Sequence, residues 1–403
     1  MDRRHFLQLA LSTTVSTVSW RLWAAAKTSV DGRFVLVFLR GAYDALSAVV
    51  PYAEPFYHAS RPTIALARPD ANAPEASIQL DGRWALHPAL EDALWPLWQA
   101  GQLAFVPFAG TGFISRSHFQ AQDWMEFGQA PGIRPDSGSG FLNRLLVELG
   151  ADRQRAGGVS FTQTLAPSLR GGVQVANSPL SLPRGQRATP DHERLLQTMY
   201  LGHPLEAQVR DGLGLRREIS EELREEMQAS SRQALPAGSF AVEAGRMGRI
   251  LRDHPEYKVA FADVGGWDTH AAQGAARGAL ANRLRELGEG LSALSESLGE
   301  EWSKTVVVVI SEFGRTFREN GSRGTDHGHG TTLWVMGGGV RGGTIRGEQG
   351  ELDERGLHQD RDVPVLNEYR DVVAGLFERQ FSLPKAAVSR VFPACVVRDL
   401  ALL

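Results

Sequence analysis

The chain has 403 residues, a length that suits one large α/β domain or two ordinary ones. Hydrophobic residues make up 42% of it and 9 residues are Trp, a composition typical of a globular protein rather than a disordered one. The 43 basic and 46 acidic residues give a net charge of −3, which argues against general nucleic-acid binding. A single cysteine, Cys395, excludes an intrachain disulfide and a thiolate metal cluster.

Residues 1–26 are predicted to be an export signal rather than part of the fold. Arg3 and Arg4, followed by one spacer and then Phe6 and Leu7, form a twin-arginine motif ahead of an apolar, hydroxyl-rich segment. The alternative is an amphipathic N-terminal helix. The apolar run is too short to span a membrane, and nothing later is apolar enough to anchor the mature chain. The sequence therefore predicts passage through the twin-arginine export machinery and a periplasmic or extracellular location.

The first predicted strand covers residues 33–39, an apolar run that suits a strand buried on both faces. Gly41 and Asp44 follow it. Asp44 is a candidate metal ligand at the strand end, or alternatively the N-cap of a helix that begins at Ala45, and one residue could do both. Residues 51–82, which are rich in Pro and Ala, are predicted to be a surface excursion.

A second predicted strand over residues 103–108 leads to a polar turn that contains Arg116, Ser117 and His118. A hydroxyl in this position could be a nucleophile held near a cation, and Arg116 could bind an anionic ester oxygen. The alternative is that Ser115 or Ser117 caps the helix predicted over residues 119–127, which is compatible with anion binding at a helix N-terminus. His118 could be a ligand or a packed core histidine, and taken alone the second is favoured.

The middle of the chain, about residues 129–255, is predicted to hold insertions in a single domain of residues 27–403. Residues 129–190 have little regular pattern: a short helix is predicted over 142–149, and the stretches 131–140 and 178–190, rich in Pro, Gly and Ser, are predicted to form long loops or a lid. Helices are predicted over residues 206–233 and 240–254, with charge pairs typical of a solvated face, and are given a packing role.

A third strand, predicted over residues 257–264, delivers Asp268 and His270 in a glycine-led loop. A carboxylate and an imidazole two residues apart are weak evidence alone. They become stronger evidence as the third strand end that carries possible ligands, because the ends of parallel strands meet at one sheet edge.

The fourth strand, residues 306–310, is a run of five branched aliphatic side chains. Glu312 follows it, and Asp326, His327 and His329 come soon after among glycines. Carboxylates and imidazoles at such an edge are what a divalent cation binds, so the pattern predicts a metal or catalytic site. The alternative is a polar loop whose histidines cap and hydrogen-bond.

These motifs resemble a known group of proteins. The chain is similar to the twin-arginine-exported bacterial family described as domain of unknown function 1501, within the alkaline phosphatase superfamily. The matching pieces are Leu39-Arg40-Gly41 with Asp44, Arg116-Ser117-His118-Phe119 with Gln122-Asp123, Gly266-Trp267-Asp268-Thr269-His270, Ser311-Glu312-Phe313-Gly314-Arg315-Thr316, and Asp326-His327-Gly328 leading to Gly337-Gly338-Gly339.

The resemblance implies an α/β, alkaline phosphatase-like fold with a mostly parallel central sheet, helices on both faces and long inserted loops. It also implies metal-dependent hydrolysis of a small anionic ester, a phosphate or a sulfate, with Ser117 as nucleophile and with Arg116 and Arg315 binding the anion. Glu312-Phe313 stands where the superfamily has Asp-His, which keeps an oxygen ligand and loses an imidazole.

One or two divalent ions, zinc or a similar metal, are the expected cofactors. Asp268, His270 and His329 are expected to hold one ion. Asp44, Glu312 and Asp326 are expected to hold the other, with His327 free to join either. The alternative function is an exported metal-binding or surface-assembly protein that keeps the fold without turnover, which the Glu312-Phe313 change favours.

Overall fold

A large, twisted sheet forms the centre of the computed structural model, which describes residues 31–132, 138–151, 157–179, 190–214 and 240–403. The predicted signal peptide and part of the helix predicted over 206–233 lie outside these residues. The strands, in chain order, are β1 (Arg33–Leu39), β2 (Val49–Val50), β3 (Ile78–Gln79), β4 (Ala85–Leu86), β5 (Leu103–Gly110), β6 (Gly158–Ser160), β7 (Ala176–Asn177), β8 (Val259–Val264), β9 (Thr305–Ser311), β10 (Thr331–Met336), β11 (Thr344–Ile345) and β12 (Asn367–Glu368).

Helices connect most of these strands, and residues 206–214 are helical as well. The α-helices are α1 (Ala45–Ala48), α2 (Pro55–Ser60), α3 (Glu91–Gln99), α4 (His118–Phe127), α5 (Phe141–Glu148), α6 (Pro190–Tyr200), α7 (Phe240–Asp253), α8 (Ala279–Leu298), α9 (Tyr369–Phe381) and α10 (Lys385–Val391). Single 3-10 turns cover Pro88–Leu90, Pro167–Leu169 and Gly299–Lys304. No helix of the described ranges combines the length and the apolar character needed to cross a membrane.

The main sheet has the strand order β11-β5-β10-β9-β1-β8-β6-β7, with β12 also paired to β5. Strand β10 runs antiparallel to both β5 and β9, whereas the other pairs in this sheet are parallel. The prediction of an α/β fold with a large, mostly parallel sheet is therefore confirmed. A second, small antiparallel sheet has the strand order β2-β4-β3, and its strands lie between β1 and β5 in the sequence.

Strand β1 lies in the middle of the main sheet, and all seven of its residues are buried. Val35 and Val37 share a core cluster with Leu284 of α8. Phe34, whose side chain points to the opposite face, packs edge-on against Phe377 of α9 with the ring centroids 4.8 Å apart. Helices therefore cover both faces of the sheet, as a strand without polar alternation requires.

The structure differs from the sequence-based expectation in the connecting segments. Residues 51–82 are not a simple surface excursion, because Tyr57 and Arg61 in this stretch are fully buried. In the segment 129–190 the short helix predicted over 142–149 is present as α5, and the short strands β6 and β7, which were not predicted, extend the sheet to its edge. Strands of two or three residues are too short to show the alternation by which a strand is recognised.

Candidate metal centre

One edge of the main sheet collects the polar side chains that follow its strands. Strands β1, β8 and β9 are parallel and end there, and the antiparallel β10 begins there. The connection after β5 delivers His118 as the first residue of α4. The loop after β8 delivers Asp268 and His270, and His327 precedes β10. The fold thus brings together groups that are as much as 209 residues apart in sequence.

Three imidazole nitrogens converge on the carboxylate of Asp268. The Nε2 atom of His327 lies 2.9 Å from Nε2 of His118 and 3.1 Å from Nε2 of His270. The Asp268 Oδ1 atom lies 2.8 Å from His270 Nε2 and 3.1 Å from His327 Nε2. Its Oδ2 atom is 3.6 Å from His118 Nε2. The Nε2 atoms of His118 and His270 therefore both lie next to His327 and Asp268.

The other nitrogen of each ring faces a hydrogen-bond acceptor. His118 Nδ1 lies 2.7 Å from Glu312 Oε1, His270 Nδ1 lies 3.3 Å from Asp326 Oδ1, and His327 Nδ1 lies 2.9 Å from the carbonyl oxygen of Arg116. Each of these partners can accept a hydrogen bond from Nδ1, and in the tautomer protonated at Nδ1 each Nε2 presents a lone pair to a metal ion. Metal-binding histidines are held in their tautomer in this way.

The donor set fits a divalent cation. In a tetrahedral zinc site with bonds of about 2.0–2.1 Å, neighbouring donor atoms lie about 3.3 Å apart. The distances from His327 Nε2 and from the nearest Asp268 oxygen to the other donor atoms run from 2.8 to 3.6 Å. With their Nε2 atoms unprotonated, the imidazoles and the ionised carboxylate repel one another unless a cation lies between them. Within the described residues, His118, Asp268 and His327 form a group that could hold a metal ion, with its ligand atoms all within 4.8 Å of one another.

Glu312 stands behind His118 as a buried, ionised support. Its Oε1 atom accepts hydrogen bonds from His118, from the backbone N–H of Gly41 at 2.9 Å and from Gln122 Nε2 at 2.9 Å. Burial by itself would raise the pKa of Glu312, but the donors led by His118 bring its pKa below the usual value. The same bond raises the pKa of His118. The sequence placed Glu312 among the ligands, whereas the structure makes it the partner of one.

Arg315 holds Asp268 and donates five hydrogen bonds to groups of the protein. Its side chain is fully buried, and Nη2 donates to Asp268 Oδ1 at 2.5 Å. The rest of its guanidinium donates to backbone carbonyl oxygens, two of which belong to Gly41 and Ala42. Although burial would raise the pKa of Asp268, Arg315 lowers it below its ordinary value. The predicted anion-binding role of Arg315 therefore does not fit its position.

A glycine is required where β1 leaves the sheet. Gly41 has φ = +115°, and a Cβ atom there would lie 3.0 Å from the backbone nitrogen of Asp268. Its N–H group donates to Glu312 and its carbonyl oxygen accepts from Arg315. Gly41 thus contacts both Glu312, which bonds to His118, and Arg315, which bonds to Asp268.

Asp326 supports His270 and is half-exposed rather than part of a second ligand set. Its Oδ1 atom accepts from His270 Nδ1 and, at 3.0 Å, from Asn320 Nδ2. The Asn320 bond is the main reason why the pKa of Asp326 lies below its usual value. The structure thus places Asp326 in the same relation to His270 as Glu312 to His118.

Asp44 lies apart from the imidazoles, in a buried ion pair. Its carboxylate receives Arg61 through two hydrogen bonds of 2.6 and 3.1 Å, and it also accepts from Gln273 at 2.7 Å and from Ser47 at 2.8 Å. Burial would raise the pKa of Asp44, but Arg61 lowers it overall. The expectation that Asp44 is a metal ligand is corrected, because Arg61 already supplies the cation that this carboxylate needs.

His329 is also separate from the converging nitrogens. Its ring faces that of His358, with the centroids 4.8 Å apart. Burial, followed by the nearby His358, lowers its pKa to about 4, so it is neutral at pH 7. The structure thus brings together His118, Asp268, His270 and His327, and it does not bring Asp44 or His329 to them. A second ion held by Asp44, Glu312 and Asp326 is not supported by this arrangement.

The family model for proteins of unknown function DUF1501 matches residues 31–392. The chain belongs to the DUF1501 family. The match covers the strand ends and loops that build the candidate metal centre. No curated protein matches this DUF1501 chain.

Ser117 and Arg116 sit at the entrance of α4 in this DUF1501 protein. Ser117 is the N-cap residue by position, but its hydroxyl makes no capping hydrogen bond. The Arg116 side chain is half-exposed and donates through Nη2 to Asp362 at 3.0 Å and to Gln359 at 3.2 Å. The capping role considered for Ser117 is therefore not realised, and its hydroxyl lies one residue from His118.

His118 is the member of the centre that the sequence analysis considered as a ligand but did not include among the expected ligands. The motif Asp-x-His marks Asp268 and His270, and a second His-containing loop marks His327, but His118 stands alone in its segment. The available signal was the position of His118 in the chain. It begins a helix soon after β5, a strand that ends at the same edge of the sheet as β1, β8 and β9.

Proposed function

We propose that this chain is an exported metal-dependent hydrolase that acts on small phosphate or sulfate esters. The observation that carries the proposal is the grouping of three imidazole Nε2 atoms around one carboxylate, with each Nδ1 next to an acceptor. The side chains of Asp268 and His270 are 45% and 43% exposed, so a small ester can reach the donors from solvent. The twin-arginine motif supports export, and zinc or a similar metal suits the three imidazoles.

A divalent ion bound here would supply Lewis-acid stabilisation of the charge on the reacting oxygens. His118, Asp268, His270 and His327 would hold it. Ser117 is the proposed nucleophile, because its hydroxyl is free of capping contacts and precedes His118. Its Oγ atom forms a bond to phosphorus or sulfur while the ester oxygen leaves with the bonding electrons and takes up a proton. Water then cleaves the new bond and restores the hydroxyl.

The N-terminus of α4 supports this assignment of Ser117. The first N–H groups of this ten-residue helix carry partial positive charge, and they point toward the turn that contains Ser117. Negative charge that develops on the transferred group is stabilised in such a position.

The experiment is a panel of aryl phosphates and aryl sulfates, assayed with the zinc-loaded mature chain and with Ser117→Ala. We expect turnover of at least one ester class, and a loss of about a hundredfold or more in Ser117→Ala. Ser292→Ala is the matched control, since Ser292 lies on α8 and its hydroxyl donates to Glu296. Equal turnover by the wild type and Ser117→Ala would remove Ser117 from the mechanism.

A second candidate function is an exported metal-binding or surface-assembly protein without turnover. The observation in its favour concerns Arg315, which was expected to bind the ester. Its guanidinium is buried and donates five hydrogen bonds to groups of the protein. One equivalent of bound zinc together with no turnover across the whole panel would decide for this alternative.

A further inference from the structure

Two arginines beside the candidate metal centre share one buried carboxylate. Asp362 is fully buried. Its Oδ2 atom accepts from Arg116 Nη2 at 3.0 Å, and Arg361 Nη1 lies 3.1 and 3.2 Å from its two oxygens. A buried carboxylate is stable only when it is paired, so Asp362 keeps both guanidinium groups in place. Because two positive charges meet one negative charge, this group of three keeps a net positive charge.

Both arginines are attached to His327, one of the converging imidazoles. The carbonyl oxygen of Arg116 accepts the hydrogen bond from His327 Nδ1 at 2.9 Å. Arg361 Nη1 donates to the carbonyl oxygen of His327 at 3.0 Å. The backbone of Arg116 and the guanidinium of Arg361 are therefore both fixed to the residue that lies between His118 and His270 in the centre.

In the described part of the chain each arginine keeps unused N–H groups, and Arg361 keeps a whole edge formed by Nε and Nη2. Among the described residues, the hydrogen bonds of the Arg116 side chain all use Nη2, and those of Arg361 all use Nη1. The Arg116 and Arg361 side chains are 43% and 36% exposed. Arg315 differs in this respect, because its guanidinium is buried and taken up by five hydrogen bonds. The remaining N–H groups of Arg116 and Arg361 are thus available to a ligand.

A strained turn presents Arg361 and Asp362. The two preceding residues, Gln359 and Asp360, both have φ = +54°, in the left-handed region that side chains other than glycine seldom adopt. Gln359 also accepts a hydrogen bond from Arg116 Nη2 at 3.2 Å. Strain of this kind persists where the surrounding structure holds it, and it is common at ligand clamps.

We propose that Arg116, Arg361 and Asp362 form a guanidinium clamp that binds the non-bridging oxygens of a tetrahedral oxyanion, a phosphate or sulfate group. The inference rests on the proposed function and names what recognises its substrate: the anion binds between the clamp and the metal ligands. A guanidinium edge offers two parallel N–H groups that match two oxygens of such an anion. The sequence analysis assigned anion binding to Arg116 and Arg315 and did not single out Arg361. The clamp assigns this role to Arg116 and Arg361.

The test is calorimetric titration of inorganic phosphate and of inorganic sulfate into the zinc-loaded chain after free zinc has been removed. The variants are Arg361→Gln, Arg361→Lys and the matched control Arg318→Gln. Arg318 is 39% exposed and donates to the carbonyl oxygen of Asp360 in the same turn, away from Asp362. Arg361→Gln is expected to weaken anion binding about tenfold or more, and Arg361→Lys less, because lysine keeps the charge and loses the fork. Arg318→Gln is expected to match the wild type, and binding of only one of the two anions would support the clamp and name its ester class.

Several results would overturn the clamp. These are unchanged anion binding in Arg361→Gln, an equal loss in Arg318→Gln, or loss of bound zinc in Arg361→Gln, which would limit Arg361 to holding His327. Failure of the hydrolase proposal is a separate result. If the chain binds zinc and oxyanion, loses the oxyanion in Arg361→Gln and turns over no ester, the clamp stands and the hydrolase function falls.

Discussion

Glu312 accepts a hydrogen bond from Nδ1 of His118 at 2.7 Å, and this bond sets which nitrogen of His118 is free to bind a metal. The same Glu312 oxygen accepts from Gln122, whose own amide oxygen accepts from Arg40 at 3.1 Å. Arg40 therefore fixes which way the Gln122 amide points, and Gln122 in turn fixes the carboxylate. The orientation of His118 is thus determined by a chain of contacts that leads away from the centre.

The first prediction concerns the charge of this support. Glu312→Gln keeps the shape of the side chain and removes its negative charge, so the ring of His118 becomes a weaker donor and its tautomer is less firmly held. We expect zinc affinity to fall about 10–100-fold, as found when carboxylates behind ligand histidines are changed. Competition with a chromophoric chelator measures it.

A carboxylate elsewhere on the chain serves as the control for that experiment. Glu319 accepts the backbone N–H groups of Thr63 and Ile64 at 2.9 and 3.2 Å and makes no contact with the imidazoles. Glu319→Gln should leave zinc affinity at the wild-type value. An affinity in Glu312→Gln that equals that of Glu319→Gln would show that Glu312 does not act on the metal centre.

The second prediction separates the histidines of the centre from the one that lies apart. His118→Ala and His327→Ala each remove a converging nitrogen, and the bound zinc should fall well below one equivalent in both. His329→Ala changes a histidine only two residues from His327 and should keep a full equivalent. Metal analysis after dialysis measures all three. Retention of zinc by His118→Ala would exclude it as a ligand.

Much of the sheet could be predicted, because its inner strands are buried on both faces. The predicted strand over 33–39 matches β1, and the run of valines matches β9 within one residue at each end. The structure also brings together Asp268, His270 and His327, which the sequence had grouped as possible ligands. Their binding of a metal stays a prediction.

The rest of the centre depends on contacts that no local pattern records. His118 joins the centre across 150 residues to Asp268, a separation over which sequence spacing carries no information. Arg61 was unpredictable for a related reason, since it lies in a Pro- and Ala-rich stretch that gives no sign of burial. Because the sequence did not reveal Arg61 as the partner of Asp44, it predicted that Asp44 binds a metal ion.

The third prediction tests this reassignment of Asp44. In Asp44→Asn the Arg61 guanidinium stays buried without a carboxylate, which should lower the free energy of unfolding by about 3–5 kcal/mol. Zinc content should not change, in contrast to a ligand substitution. Urea denaturation measures the first quantity and metal analysis the second.

An exposed ion pair provides the comparison for Asp44. Glu54 pairs with Arg83 at 2.7 Å, and both side chains are partly exposed, so Glu54→Gln should cost less than about 1 kcal/mol. The double variant Asp44→Asn with Arg61→Met should recover part of the stability, because it removes the unpaired charge as well. Loss of zinc in Asp44→Asn with little change in stability would return Asp44 to the list of ligands.

The fourth prediction concerns pH and a histidine far from the centre. His87 is fully buried and neutral: its Nδ1 accepts from the N–H of Ala89 at 2.9 Å, and its Nε2 donates to the carbonyl oxygen of Ala275 at 3.1 Å. Burial lowers the pKa of His87 from 6.5 to about 4. Protonation at Nδ1 would place a proton against the Ala89 N–H group.

The sign of the pH effect follows from the two pKa values. Between pH 6.5 and 4 the unfolded chain binds a proton at His87 that the folded chain does not, so stability falls as the pH falls through this window. A difference of this size corresponds to about 3 kcal/mol at most. In His87→Asn, whose side-chain oxygen can still accept from Ala89, this contribution is absent. We expect the stability advantage of the wild type over His87→Asn, measured by urea denaturation, to shrink by about 2–3 kcal/mol from pH 7 to pH 4. Other titrating groups are common to both proteins and cancel in the difference, so an advantage that does not change with pH would mean that His87 is protonated as easily in the folded chain as in the unfolded one.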